Sequence, residues 1–300
     1  MERPNRHGVL VGVDGAADGL LATVWAAREA ARRGVPLTVA HVRMPWPPIA
    51  YPDFEQQIVA EVEAEASTAV DAAEAAAHEV APDLPVHKIA VDGPAAQALV
   101  DLAGDADLLV VGSRGRGAVA RLVLGSVADK VARHAPGTVV VVRAEDPSSP
   151  VLHDRSEDLS APVVVGVDLA ADFDATLAFA AEQAAARGTS LLAVHVVPAP
   201  PGYIPTFGSP PDFWPDEAQK QAAEALERAV EPLVQTYPQL TVKTLVLQGS
   251  AAEGLIGSSE AAALVVVGAT GSGAFEGLRL GSVGSHLLHH ARCAVAIVRS

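Results

Sequence analysis

Short apolar runs recur through the first half of the chain, near 8–13, 36–42, 86–91, 107–112 and 138–143. They are Val- and Leu-rich, the composition of strands buried in a sheet. Between them lie longer Ala-rich stretches, near 18–34, 54–80, 94–104 and 121–135, that read as helices. Gly34 and Pro36 close the first helix, and Gly137 stands where a C-cap glycine is expected after the last. The predicted order is therefore β-α-β-α-β-α-β-α-β. Strands separated by helices cannot pair as hairpins, so the sheet is parallel with right-handed crossovers. Ligands of such sheets sit beyond the carboxyl ends of the strands, at the switch point. Asp14 and Gly112 fall at strand carboxyl ends.

The pattern then repeats. Val9-Leu10-Val11-Gly12-Val13-Asp14 returns 154 residues later as Val163-Val164-Val165-Gly166-Val167-Asp168, and Ala40-His41-Val42 returns at the same offset as Val194-His195-Val196. Val110-Val111-Gly112 and Leu124-Gly125-Ser126-Val127 return 156 residues later, as Val266-Val267-Gly268 and Leu280-Gly281-Ser282-Val283. Landmarks in one order at a nearly constant offset mark a tandem duplication. The expected domains are 1–146 and 162–300, joined by a polar linker over 147–161 that begins around Pro147-Ser148-Ser149-Pro150. The predicted fold class is α/β: two tandem five-stranded parallel sheets with helices on both faces. One further stretch stands out. Pro198 to Pro215 holds seven prolines with Tyr203, Phe207, Phe213 and Trp214, and Pro45 to Pro52 is a shorter version with Trp46 and Tyr51. An ordered surface loop and a lid or partner contact both fit.

A chain of 300 residues accommodates two such domains. The net charge of −15 opposes nucleic-acid binding, because phosphate backbones are repelled. It leaves small nucleotides open, since backbone N–H groups dominate the field in a cleft. No apolar stretch is long enough to span a membrane, and the apolar run after Arg3 and Arg6 is too short for a signal-peptide core. The lone cysteine, Cys293, excludes an intrachain disulfide and fits a reducing compartment. A cytoplasmic location is the expectation.

The chemistry concentrates after the fourth strand. Gly112-Ser113-Arg114-Gly115-Arg116-Gly117 is followed, with nine residues between Gly115 and Gly125, by Gly125-Ser126; Gly268-Ala269-Thr270-Gly271-Ser272-Gly273 is followed at the same spacing by Gly281-Ser282. Glycines let backbone N–H groups approach a ligand and form an anion nest, reinforced by the helix N-terminus that follows. The Walker A loop needs a lysine before its Ser or Thr, and none is present. Gly115-Arg116-Gly117-Ala118-Val119-Ala120 matches a dinucleotide fingerprint ending in alanine, but it follows the fourth strand, with no acidic residue at the end of the next to hold a ribose.

Gly-Val-Asp at 12–14, His-Val at 41–42 and Gly112-x2-Gly115-x9-Gly125-Ser126, with their second copies at 166–168, 195–196 and 268–282, resemble the universal stress protein family in its tandem, actinobacterial form. The resemblance implies a Rossmann-like, adenine nucleotide-binding fold and ATP, with or without Mg2+, as ligand. It implies that Asp14, Gly15 and Asp168 meet the nucleoside end and that Val42 and Val196 lie by adenine. It implies that Gly112, Ser113, Arg114, Gly115, Arg116, Gly117, Gly125, Ser126 and Val127 hold the phosphates, and likewise Gly268, Thr270, Gly271, Ser272, Gly273, Gly281, Ser282 and Val283. It also implies that the halves pack as a pseudo-dimer through their last strands, and it suggests a homodimer and a regulatory protein partner. Two departures matter: Ala16 and Ala170 stand where the family commonly has serine, and Arg114, Arg116 and Arg121 of the first loop face Thr270, Ser272 and Glu276 in the second. Those arginines lead to the expectation that the first half binds ATP more tightly.

Other residues read more plainly. His41 and His195 fit core or strand-end positions better than a catalytic base. His286, His289 and His290 resemble a metal cluster, but only His286 and His290 share a helix face and no acidic or cysteine partner is near in sequence. Cys293 begins a buried strand, and the run Glu55 to Glu79 is a solvated helix face. No nucleophile elbow, Cys/His pair or general base beside a nucleophile appears, so no catalytic residues are assigned. Three functions remain open: a nucleotide-dependent stress-response regulator, a slow ATPase or other nucleotide hydrolase, and a scaffold with vestigial glycine loops.

Overall fold

The computed structural model describes residues 7–44, 52–115, 124–143, 158, 160–198, 216–272 and 279–299, with backbone only at 52–55 and 216. The chain divides into two compact units, Met1–Asp154 and Arg155–Ser300. In the first unit the elements run β1 (Val9–Val13), α1 (Ala17–Arg33), β2 (Leu37–Arg43), α2 (Pro52–Val80), β3 (Val86–Asp92), α3 (Ala95–Leu102), β4 (Leu108–Gly112), α4 (Ser126–His134) and β5 (Val139–Val142). The second runs β6 (Val163–Gly166), α5 (Asp174–Arg187), β7 (Leu191–Val197), α6 (Asp216–Thr236), β8 (Val242–Gln248), α7 (Ala251–Ser258), β9 (Leu264–Gly268), α8 (Ser282–His290) and β10 (Ala294–Val298).

Every described strand pairing within a unit is parallel. The first sheet has the order β3-β2-β1-β4-β5 and the second β8-β7-β6-β9-β10. The chain steps outward from β1 to β2 and β3, then returns to the other side of β1 to begin β4. The switch point therefore lies between β1 and β4, and its counterpart between β6 and β9. In the first unit α1 packs with α2 and α3 with α4. Right-handed crossovers put one helix pair on each face of the sheet.

Burial explains why these segments became strands. Val9, Leu10 and Val11 of β1, Leu108 to Val111 of β4 and Val139 to Val142 of β5 are all buried, as a sheet covered on both faces requires. At the edge, β3 has only half-buried and exposed positions. Its Lys88 is bridged to Asp71 and Glu74 of α2 at 2.9 and 2.7 Å, and a lysine in such a place discourages pairing with another strand. The long α2 buries Ala66, Ala69, Val70, Ala73 and Ala77 at helical spacing, while Glu61, Glu63, Glu65 and Glu79 are exposed. The acidic run over this helix is the solvated face expected of it.

Gly34 ends α1 in the left-handed region at φ 65°, and Gly188 ends α5 at φ 67°. Each donates its N–H back to the last turn, where alanine would be strained. Gly137 does not cap α4. That helix ends on Ala135, which turns out of the helix into extended backbone at ψ 141°. The cause is the next residue, Pro136, which disfavours the helical region for its predecessor. No described helix is long and apolar enough to cross a membrane.

Candidate functional site

Asp14 follows β1 directly, and Asp168 stands just beyond β6. Both lie at the switch points, half-buried. Each fixes its own turn in the same way: Asp14 Oδ1 accepts the Ala16 N–H at 3.0 Å, and Asp168 Oδ1 accepts the Ala170 N–H at 3.1 Å. Neither caps the helix that follows, because α1 begins after Ala16 and α5 after Phe173, without a side-chain cap. A histidine fixes the strand end behind each aspartate. His41 Nδ1 lies 2.9 Å from the Val13 carbonyl, and His195 Nδ1 lies 2.8 Å from that of Val167. A carbonyl only accepts, so the proton sits on Nδ1 in both rings and each histidine is a strut between neighbouring strands. Val42 and Val196 follow these histidines at the carboxyl ends of β2 and β7, half-buried.

The glycine loops meet these aspartates. Ser113 N–H extends the β4–β5 ladder by donating to Val142 O at 2.7 Å, and Ser113 O closes the loop base by accepting from Gly125 N–H at 2.8 Å. Ala269 does the same with Val298 O at 2.8 Å and Gly281 N–H at 2.7 Å. Gly115 and Gly271 then pass so close to the aspartates that a Cβ would stand 2.4 Å from Asp14 Oδ2 and 2.8 Å from Asp168 Oδ2. Glycine is needed at both places for approach. Gly125 and Gly281 are the N-caps of α4 and α8, and neither helix has a side-chain cap. Both helices therefore begin with backbone N–H groups that no side chain satisfies. Ser126 and Ser282 open these helices, exposed, and Val127 and Val283 follow, half-buried. Arg116, Gly117 and Gly273, expected in the same cradle, lie outside the described residues, as do Arg121, Glu276 and the aromatic residues of both Pro-rich stretches.

The two sites differ in their anchoring. Gly15 takes φ 79°, which turns the chain straight into α1. Leu169 stands in its place, and among the described residues only glycines take positive φ. The second unit instead makes a turn from Asp168 O to Ala171 N–H, 3.0 Å, and its helix starts later. The extra turn of α1 carries Asp18. This carboxylate accepts from Ser113 Oγ at 2.8 Å and takes the Arg114 fork at 3.0 Å through both Nε and Nη2. Asp18 eluded the sequence reading, and Arg114, read as a phosphate ligand, is paired with it. The first loop is thus less cationic than its arginine count suggests.

In the second unit the aspartate itself holds the loop: Asp168 Oδ2 accepts from both N–H and Oγ of Ser272, each at 2.8 Å. Burial works to raise the Asp168 pKa. The Ser272 N–H and hydroxyl, the Ala170 N–H and the charge of His195 outweigh it and hold the group below the ordinary 3.8. A depressed pKa stabilises the contact fully above the unfolded value and loses it as pH falls through the folded one. The Ser272 amide NMR signal should therefore titrate with a midpoint below 3.8, and Asp168→Asn should abolish that step. A midpoint above the ordinary value contradicts the assignment.

Against this geometry, a family model described as the universal stress protein family matches residues 5–143 and again 161–299. The chain belongs to the universal stress protein family. A universal stress protein of Mycobacterium tuberculosis is 34% identical over 317 residues, covering 100% of this chain and 99% of the relative. One of Mycolicibacterium smegmatis is 32% identical over 309 residues, covering 100% and 99%. The crystal structure of a universal stress protein from Archaeoglobus fulgidus superposes with a TM-score of 0.67 at 16% identity, covering 99% of both chains; it attests the fold.

The remaining residues of interest lie on α8 and beside β10. Cys293 immediately precedes β10 and is buried. On α8 the rings of His286 and His290 are 6.4 Å apart, and His286 Nδ1 lies 2.8 Å from Ser282 O. Among the described residues no group of three or more His, Cys, Asp or Glu is arranged to hold a metal ion.

Proposed function

We propose that both glycine loops bind ATP and that the protein is a nucleotide-dependent regulator of the stress response. The observation that carries this reading is the convergence, in each unit, of a strand-end aspartate, a glycine loop drawn against it and a helix start without a side-chain cap. Uncapped N–H groups and the positive helix end suit phosphate oxygens. The aspartate, fixed by its own turn and the histidine strut, accepts hydrogen bonds from ribose or base. Mg2+ would arrive with the triphosphate. Occupancy rather than turnover is the proposed readout, and ATP acts by favouring the state it binds best.

Mass spectrometry of small molecules released from denatured, freshly purified protein tests this. The expected result is an adenine nucleotide in chain-proportional amounts. Steady release of inorganic phosphate from added ATP, abolished by Asp14→Ala, would instead establish a hydrolase.

A further inference from the structure

Asp18 has no place in the glycine spacing, yet it is tied to the base of the first loop by three side-chain hydrogen bonds. It lies in the first turn of α1, buried, and is brought to the end of β4 because Gly112 lets the helix backbone lie against the strand. Its Oδ2 takes the Ser113 hydroxyl and Arg114 Nε, and its Oδ1 takes Arg114 Nη2. Ser113 is itself buried, and its carbonyl closes the loop base on Gly125. One carboxylate thus fixes both residues between β4 and Gly115. The second unit has Ala269 and Thr270 at these positions, with Thr270 exposed, and Gly268 faces the Thr176 hydroxyl where Gly112 faces the Asp18 backbone.

We propose that Asp18 is a positioning residue for phosphate recognition by the first loop. It holds Arg114 by one edge of the guanidinium, and the N–H groups it leaves, on Nη1 and the outer side of Nη2, donate to phosphate oxygens of the nucleotide beside Gly115. A carboxylate partner costs the arginine some net attraction for an anion, but it fixes the planar fork before the ligand arrives. The first loop therefore reads the phosphate chain through an oriented arginine, whereas the second reads it through backbone groups and Ser272. The two sites of one chain differ in how strongly they distinguish a triphosphate from a bare nucleoside. This inference rests on ATP binding at the loops.

The test is titration of the full chain with ATP and, separately, with adenosine, comparing the unmodified protein with Asp18→Asn. The expected result is that one of the two sites loses about tenfold in ATP affinity, near the value of one charge-assisted hydrogen bond, while adenosine affinity holds. Arg114→Lys keeps the cation but not the fork, and it should show the same selective loss if Asp18→Asn fails to fold. ATP and adenosine weakening together would reduce Asp18 to a structural brace and overturn the proposal, as would unchanged ATP affinity in both variants. An unmodified chain that binds neither compound would refute ATP binding itself, an outcome distinct from these.

Discussion

Gly112→Ala should cost the first unit about 3 kcal/mol and lower its unfolding midpoint by roughly 6–12 °C, whereas Gly268→Ala should cost less than about 1 kcal/mol. Both glycines end the strand before the loop, and the family resemblance assigns both to the phosphates. Their packing differs. A Cβ on Gly112 would stand 2.7 Å from the backbone carbon and oxygen of Asp18, which cannot swing aside as a side chain can. The helix or the strand would have to shift, carrying the Asp18–Arg114 pair with it. A Cβ on Gly268 would meet Thr176 Oγ1 at 3.3 Å and Thr270 O at 3.4 Å, contacts relieved by a few tenths of an ångström. Urea denaturation of the two variants measures the contrast. Equal costs would show that α1 does not press on β4 as described.

Arg114→Ala should be about as damaging, costing on the order of 3 kcal/mol. The Asp18 side chain is only 7% exposed and that of Arg114 16%, so removing the arginine leaves a buried carboxylate with the Ser113 hydroxyl alone. The cost comes from stranding that charge rather than from losing the attraction of the pair. Asp18→Ala added to Arg114→Ala should therefore restore much of the stability, giving a coupling of about 2 kcal/mol in a double-mutant cycle. Single-variant costs that add to within about 0.5 kcal/mol would indicate that the pair is solvated and energetically slack.

These effects also mark where sequence reading succeeded and where it stopped. Val-rich runs such as Val139–Val142 announce strands because a sheet covered on both faces needs apolar residues at every position. Once helices separate such strands, parallel order follows, and with it the position of Asp14 and Gly112 at the switch point. Glycine spacing marked both loops because close approach leaves room for no other residue, as Gly115 and Gly271 illustrate. Asp18 was invisible for a different reason. An acidic residue in the first turn of a helix is ordinary, and its partner Arg114 lies 96 residues away. Only the crossing of α1 over β4 buries the two together. Arginines counted along the first loop therefore overstated its charge. Likewise, apolar neighbours place His41 and His195 on strands, but their role as struts depends on the Val13 and Val167 carbonyls at the ends of the adjacent strands. The Gly137 error came from reading glycine as the helix stop when Pro136 had already imposed one.

Calorimetric titration of the unmodified full chain with ATP decides whether the two loops bind it. The expected result is saturable binding at both units, with unequal affinities, and at ATP near 100 times Kd a stabilisation of about 2.7 kcal/mol for a unit that binds only when folded. Absence of binding heat together with an unchanged unfolding midpoint at saturating ATP would contradict it.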